Sequence, residues 1–446
     1  MPAGDRQTAL EALAIYRAAA PPELFRALRK ASGKRAEGGV YTVELTMWMM
    51  MCQRLDPKGT LSTTVQDVAE GRPQALLPAH KRLAEGTLSS NTGGYCRARQ
   101  RLGQEVTKQV ADEIFNYLMA EVPEALPGLG RQVFLLDGSS LDLPATPKLL
   151  EAYPPAENQF GVAHWPVVRI VVAHDVISGF AMQPCWGPMY GDQRVSEQTL
   201  AAEGIGQLPA GSVVVADRNF GIFSTAYDAD RRSHPVVVRL TDARARYLLR
   251  GRLPQQTDQR VDWTPSRWDR GHHPDLPADA RVRGRVISCQ VTRQGRTVQL
   301  YLFTTLDLPP EQIAELYGYR WNIETDLRSL KQTVHLHSLT ARSVDMVAKE
   351  LVLAAAAYNL VRGTMYAAAR AAGIDPRQLS FSRVQDVVNA CLPSLMAADS
   401  PEAYQRVLDR MLRRAAQCKL PRRPQRPSYP RAVWPRRSNF PKRKKP

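Results

Sequence analysis

The sequence predicts an α/β protein: a mixed-sheet core with an N-terminal helical domain, an inserted β-subdomain, and a C-terminal helical segment ending in a basic tail. Three observations carry this expectation. Apolar runs of strand length, Gln132–Leu136 and Ser212–Ala216, lead straight into Asp137 and Asp217. Further strand-like runs fill the long stretch between Asp217 and Glu324. Finally, Ile313, Leu316, Ile323, Leu327, Leu330 and Val334 recur at helical spacing, so a helix follows that stretch.

Taken in order, residues 1–125 read as helical, with Ala, Leu and Met at helical spacing and breaks at Pro21-Pro22, Lys34–Gly39 and Pro57–Gly59. The first 20 residues form an Ala-rich pattern with Asp5, Arg6 and Glu11 rather than a signal peptide. A polar, Gly-rich turn at Ser89–Gly94 leads into a helix bearing Arg97, Arg99 and Arg101. Such a helix start can dock on phosphate or read a groove, or it can be an ordinary solvated turn. Arginines at i, i+2 and i+4 do not share one helical face, so two of the three are expected to reach DNA.

From 126 to 235 the texture turns to strands at 132–136, 167–174, 179–186 and 212–216, with a helix near 194–206 that Ser196 or Glu197 caps. Strands at 236–240, 281–290 and 297–304 then suggest the inserted unit, 236–304, with Trp263 and Trp268 in a Pro-bearing stretch. Those tryptophans either form a small core or stack on an unpaired base. Residues 305–375 resume the core, with an Ala-rich helix from Asp345 to Ala372. Residues 376–446 hold a helix near 381–416 and the tail.

Charge points to a polyanionic partner. The formal net charge is +17, and residues 419–446 contribute 11 Lys or Arg, no acid and 7 Pro. Without them the rest of the chain carries about +6. The tail is therefore an extended arm that grips phosphates or a solubilising tail, with Tyr429, Trp434 and Phe440 available to stack. An apolar share of 44% supports a sizeable core. Six cysteines without C-x-x-C spacing point to a reducing cytoplasm and against a zinc finger. His272-His273 and His335-x-His337 lack cysteines at ligand spacing and read as solvated or DNA-facing. The most apolar stretches, 45–52 and 351–357, are too short to span a bilayer, so no membrane partner is expected.

The most telling segment is ELYGYRWNIETDLRSLKQ. In one helix, Tyr317, Arg320, Glu324 and Lys331 fall nearly on a line beside the apolar stripe. A phenol, a guanidinium, a carboxylate and an ammonium are thus presented together, unless Arg320 and Glu324 simply form an i,i+4 ion pair. With Asp137 and Asp217 upstream, Glu324 completes the Asp/Asp/Glu order of ribonuclease-H-like nucleotidyl transferases. Strand-end aspartates also cap turns. Asp142 and Asp175 are lesser candidates for the same role.

Together these residues resemble a large group of bacterial insertion-sequence transposases. The segment matches their Tyr-x-x-Arg-x-x-x-Glu-x(6)-Lys signature without a gap. The contexts Asp137-Gly138-Ser139 and Ala216-Asp217-Arg218-Asn219-Phe220-Gly221, and the stretch around Arg97, are similar to theirs, so the resemblance runs from about residue 85 to the tail. It implies a ribonuclease-H-like core in which Asp137, Asp217 and Glu324 are catalytic and hold two Mg²⁺ ions, with Mn²⁺ able to substitute. Two such ions, about 3.5–4 Å apart, activate the attacking oxygen and stabilise the leaving one. Tyr317, Arg320 and Lys331, with Arg97, Arg99, Arg101 and Trp268, would bind DNA. Tyr317 as a covalent nucleophile would need His and Arg partners that its surroundings in sequence do not supply. The expected activity is cut-and-paste transposition through a hairpin on the element end. The expected partners are double-stranded DNA, as terminal repeats and as target, and a second copy of the chain in the synaptic complex. The expected setting is the cytoplasm, at the bacterial nucleoid. A decayed element acting as a repressor, or a nuclease that cuts without joining, are the alternatives.

Overall fold

Runs of valine and leucine build the centre of the molecule, and charge-bearing helices wrap it. The computed structural model describes residues 11–31, 39–56, 59–122, 129–159, 161–293 and 296–421. The tail expected as a phosphate-gripping arm, with Tyr429, Trp434 and Phe440, lies outside the described residues from 422 onward.

The strands in chain order are β1 Val133–Asp142, β2 Glu157–Asn158, β3 Gly161–Val162, β4 Val167–Asp175, β5 Cys185–Pro188, β6 Val213–Ala216, β7 Val236–Arg239, β8 Asp258–Trp263, β9 Val282–Arg293 and β10 Arg296–Thr304. β2 and β3 pair only with each other; the remaining eight form one sheet in the order β5-β4-β1-β6-β7-β10-β9-β8. β1, β6 and β7 run parallel, and every other neighbour in this sheet is antiparallel. All four residues of β6 are buried. Because alternate side chains point to opposite faces, this centre is covered on both sides, which is why it reads as an unbroken apolar run. The α/β core with its mixed sheet is therefore as the sequence indicates.

Several expectations need correction. β1 does not stop at Asp137. β4 pairs with it along its whole length, from Phe134↔Asp175 to Asp142↔Val167, and that ladder carries β1 five residues past Asp137. Of the expected strand 179–186, only Cys185–Pro188 forms; the residues before it make the turn that follows β4, with Gly179 at φ +78°. β8 was hidden in the Pro- and Trp-bearing stretch. The strands of the insertion add to the core sheet at the β7 edge, where Leu302 pairs with Arg239. The expected helix over 381–416 is two helices, Phe381–Met396 and Pro401–Ala416, because Ser400 and Pro401 start a new N-terminus.

The helix Val344–Ala372 is 29 residues long and is buried around its circumference over most of its length. Helices Val43–Leu55, Gln104–Met119 and Pro401–Ala416 pack on it, which joins both ends of the chain to the core. Among the described residues no helix is long and apolar enough to cross a membrane.

Candidate active site

Register alone brings the first two carboxylates together. β1 and β6 run parallel with Leu136 paired to Ala216, and β6 ends there, so Asp137 and Asp217 are the next residues on adjacent strands. Asp137 Oδ1 accepts the Gly138 N–H at 2.8 Å. Asp217 Oδ1 accepts the Asn219 N–H at 2.7 Å, closing an Asx turn. The turn then passes over the end of β7, so close that a Cβ on Gly221 would lie 2.0 Å from the Arg239 carbonyl oxygen; only glycine fits. Burial pushes the Asp137 carboxyl up to about 6; Asp217 and Glu197 add to the rise, while the Gly138 N–H and Arg320 oppose it.

The signature segment is not one helix. It folds as Pro310–Gly318, then Trp321–Arg328, then a π-helical turn Ser329–Thr333. Between the first two, Asn322 N–H bonds Tyr319 O and Ile323 N–H bonds Arg320 O, a tightened 3₁₀ step. The apolar stripe is buried at all six expected positions. The polar line is bent. Tyr317 is buried beside Arg320, Arg239 and Asp217, and burial above all raises its hydroxyl pKa. Arg320 is a common neighbour of Asp137 and Glu324: it bonds Glu324 Oε1 at 3.2 Å and lies 4.6 Å over the Trp321 ring. Glu324, 45% exposed, thus makes the i,i+4 pair that spacing alone allowed, on a helix packed against β1 and β4. Lys331 Nζ donates to Ser139 Oγ at 2.8 Å and Ser140 O at 2.9 Å, on β1 just beyond Asp137. Burial lowers its pKa, with Asp142 opposing.

What fastens this segment was not evident in the sequence. Asp326, fully buried, accepts from Arg377 Nη1 at 2.7 and 2.6 Å and also from Arg362. Arg377 in turn donates to the carbonyls of Asp175 and Val176 at the end of β4. The only signal for this cluster was a second acid two residues after Glu324. Asp175, one of the lesser candidates, accepts from Ile177 N, Ser178 N and Ser178 Oγ, so it holds the turn after β4. Asp142 faces Lys331 at the far end of β1.

The remaining candidates are spread out. Arg97 and Arg101 are exposed on the helix Gly93–Arg101. Arg99 points inward instead and bonds the buried Glu350 at 2.7 Å, together with Arg54 at 2.6 Å, so its guanidinium is committed to the fold. Trp268 is 57% exposed and stacks on His272 at 3.9 Å. Trp263 is core, edge-on to Phe303 and Phe223. His335 gives its carbonyl to Arg54, and His337 bonds the Lys331 carbonyl. Glu197, which sequence reasoning left as a helix cap, lies against Gly138 and accepts from Asn219. Among the described residues, no three carboxylate, imidazole or thiol groups converge closely enough to hold a metal ion. The site thus consists of a half-buried aspartate pair flanked by Arg320 and Lys331, with Glu324 drawn to Arg320.

A family model for the transposase DDE domain matches residues 128–360, which contain the aspartate pair and the whole signature segment. The chain is also 27% identical over 421 residues to the transposase InsG for insertion sequence element IS4 of Escherichia coli (strain K12), covering 91% of this chain and 90% of that protein. With the family match spanning more than half of its length, and with the mixed sheet and signature segment that the family resemblance implied, the chain belongs to the DDE-domain transposases of insertion sequences.

Proposed function

We propose that this DNA transposase works by cut-and-paste: it cleaves DNA at the ends of its element, passes through a hairpin on the element end, and joins the freed end to target DNA. The observation that carries this reading is the half-buried Asp137–Asp217 pair on adjacent strands with Arg320 and Lys331 beside it. Two carboxylates at the ends of adjacent strands, with Asp137 partly desolvated, favour a bound cation, and their all-oxygen donor set suits a hard ion such as Mg²⁺, or Mn²⁺ in its place. Asp137, Asp217 and Glu324 would hold the ions, which when bound activate the attacking oxygen and neutralise the leaving one.

The chain's own residues do the rest. Tyr317 and the Trp321 ring confine Arg320, leaving its planar fork suited to a phosphate. An arriving DNA phosphate competes with Glu324 for that fork and releases the Glu324 carboxylate. Lys331, tied to β1 next to Asp137, supplies a point charge to the same backbone. Arg97 and Arg101 present cations to the element end, and Trp268 offers an exposed face for an unstacked base. Arg99 would act only by holding the helix that carries Arg97 and Arg101. Two ends brought into one complex call for two copies of the chain, acting at the nucleoid.

The test uses labelled element-end duplexes, intact and pre-cut to a 3′-hydroxyl, with a target plasmid. Wild type should nick the intact end and join the pre-cut one. Glu324→Gln should bind the end with unchanged affinity and cut at least ~10³-fold more slowly. Cutting without joining would mean a nuclease. Binding without cutting by wild type would mean a repressor.

A further inference from the structure

Two backbone amides hold the aspartate pair, and one side chain touches the supports of both. Asn219 N–H donates to Asp217 Oδ1, and Asn219 Nδ2 donates to Glu197 Oε2. Gln198, the next residue, donates from Nε2 to the Asn219 backbone oxygen at 3.0 Å and to its side-chain oxygen at 3.3 Å. On its other side Glu197 presses on β1: a Cβ at Gly138 would stand 2.8 Å from Glu197 Cδ and 2.9 Å from Oε1. Gly138 is the residue whose N–H donates to Asp137 Oδ1. Ser196 fixes where this helix begins by accepting the Thr199 N–H at 3.0 Å.

Placing a third carboxylate beside two others works against stability, since like charges at close range repel. Glu197 stands in the first turn of its helix, where an acid is favoured and part of that cost is offset, and what Asn219 needs from it is an acceptor oxygen.

We infer that Glu197 is a positioning residue that acts through Asn219 and Gly138 to orient the carboxylates of Asp217 and Asp137. The inference rests on the reading of these two aspartates as the catalytic pair. Glu197 itself stays outside the chemistry: it keeps the Asn219 amide aimed at Asp217 and packs against the strand residue whose N–H holds Asp137.

The test compares Glu197→Ala, Glu197→Gln, Asn219→Ala, Gly138→Ala and the Glu197→Ala/Asn219→Ala double variant with wild type. Four quantities are measured on the full chain: the rate of end cleavage, affinity for end DNA at fixed salt, Mn²⁺ affinity of the free protein by calorimetry, and melting temperature. Glu197→Ala should slow cleavage and weaken Mn²⁺ binding, each by roughly 10- to 100-fold, the range for residues that support metal ligands. DNA affinity and melting temperature should not change. Glu197→Gln, which keeps an acceptor for Asn219, should retain most of the rate. Gly138→Ala, which displaces the Glu197 carboxyl, should resemble Glu197→Ala. The double variant should be no slower than either single one. Wild-type rate and Mn²⁺ affinity in Glu197→Ala would overturn the inference. So would additive effects in the double variant, or Glu197→Gln as slow as Glu197→Ala, which would place the carboxylate in the chemistry. If Asp217→Asn cuts like wild type, the catalytic pair itself is wrong; if it is dead while Glu197→Ala is active, only the positioning role falls.

Discussion

Asp137 lies at the step where β6 stops pairing with β1, and burial and its neighbours move its carboxyl up to about 6 from an ordinary value of 3.8. A group that holds its proton more tightly in the fold stabilises the protein fully below the unfolded value. That contribution is lost as pH rises through the folded value. Protein free of divalent cations should therefore lose stability between about pH 4 and pH 7. Asp137→Asn should lose less over the same range and should melt higher than wild type at about pH 7.5. Adding Mg²⁺ should raise the wild-type melting temperature more at about pH 7.5 than at about pH 5. A wild-type-to-variant difference that stays constant with pH would contradict this electrostatic picture. At this scale the sequence was legible where the pattern is local. Asp137 and Asp217 follow apolar runs, which marked them. Glu197 opens a helix, and its acid looks like any first-turn carboxylate; only the β1 backbone beside it gives it another meaning. Which of the three arginines turns inward was not legible for the converse reason, because Arg99's partner Glu350 is 251 residues away.

The signature segment shows what periodicity can and cannot say about an element. Its apolar stripe is set by 3.6-residue spacing and is buried as that spacing implies. Its breaks are not. Asp326 fastens the middle of the segment to Arg362 and Arg377, while Lys331 is tied to β1 through Ser139 and Ser140. The wide turn over Ser329–Thr333 follows the first anchor and itself carries the strand-bound lysine, and such turns are common at functional sites. Coulombic attraction from both arginines offsets the burial penalty and leaves the Asp326 pKa below its usual value. Asp326→Asn should then cost about 3–5 kcal/mol in urea unfolding, the range for breaking a buried pair by removing one partner. A cost under about 1 kcal/mol would mean that the arginines find other partners, and the helix bearing Glu324 would need another anchor.

Across the whole molecule, the sheet order explains why the insertion was only half visible. β10 pairs with β7, so the strands between Asp217 and Glu324 lengthen the core sheet. Strand-to-strand partnering of this kind is a long-range choice that local patterning does not encode. The helical regions on either side of the core were clear as helices, but their convergence on Val344–Ala372 was not, and on the N-terminal side it includes the buried Arg54–Glu350–Arg99 cluster. Charge, by contrast, is legible from composition alone. Residues 422–446 hold 10 Lys or Arg and no acid. Removing them should flatten the dependence of log Kd on log salt for random duplex by about 0.9 for each phosphate that the tail neutralises. Lys419 and Leu420 are best kept, because they pair with Leu379 and Gln378. An unchanged slope, measured by titration from about 50 to 200 mM salt, would mean that the tail does not touch the DNA backbone.

The decisive measurement is excision from a supercoiled plasmid that carries the element's own ends, incubated with Mg²⁺ and either wild type or Asp217→Asn. Wild type should cut at both ends and release the element, while Asp217→Asn should bind and leave the plasmid intact. Equal cutting by both proteins would show that the Asp137–Asp217 pair is not the catalytic centre.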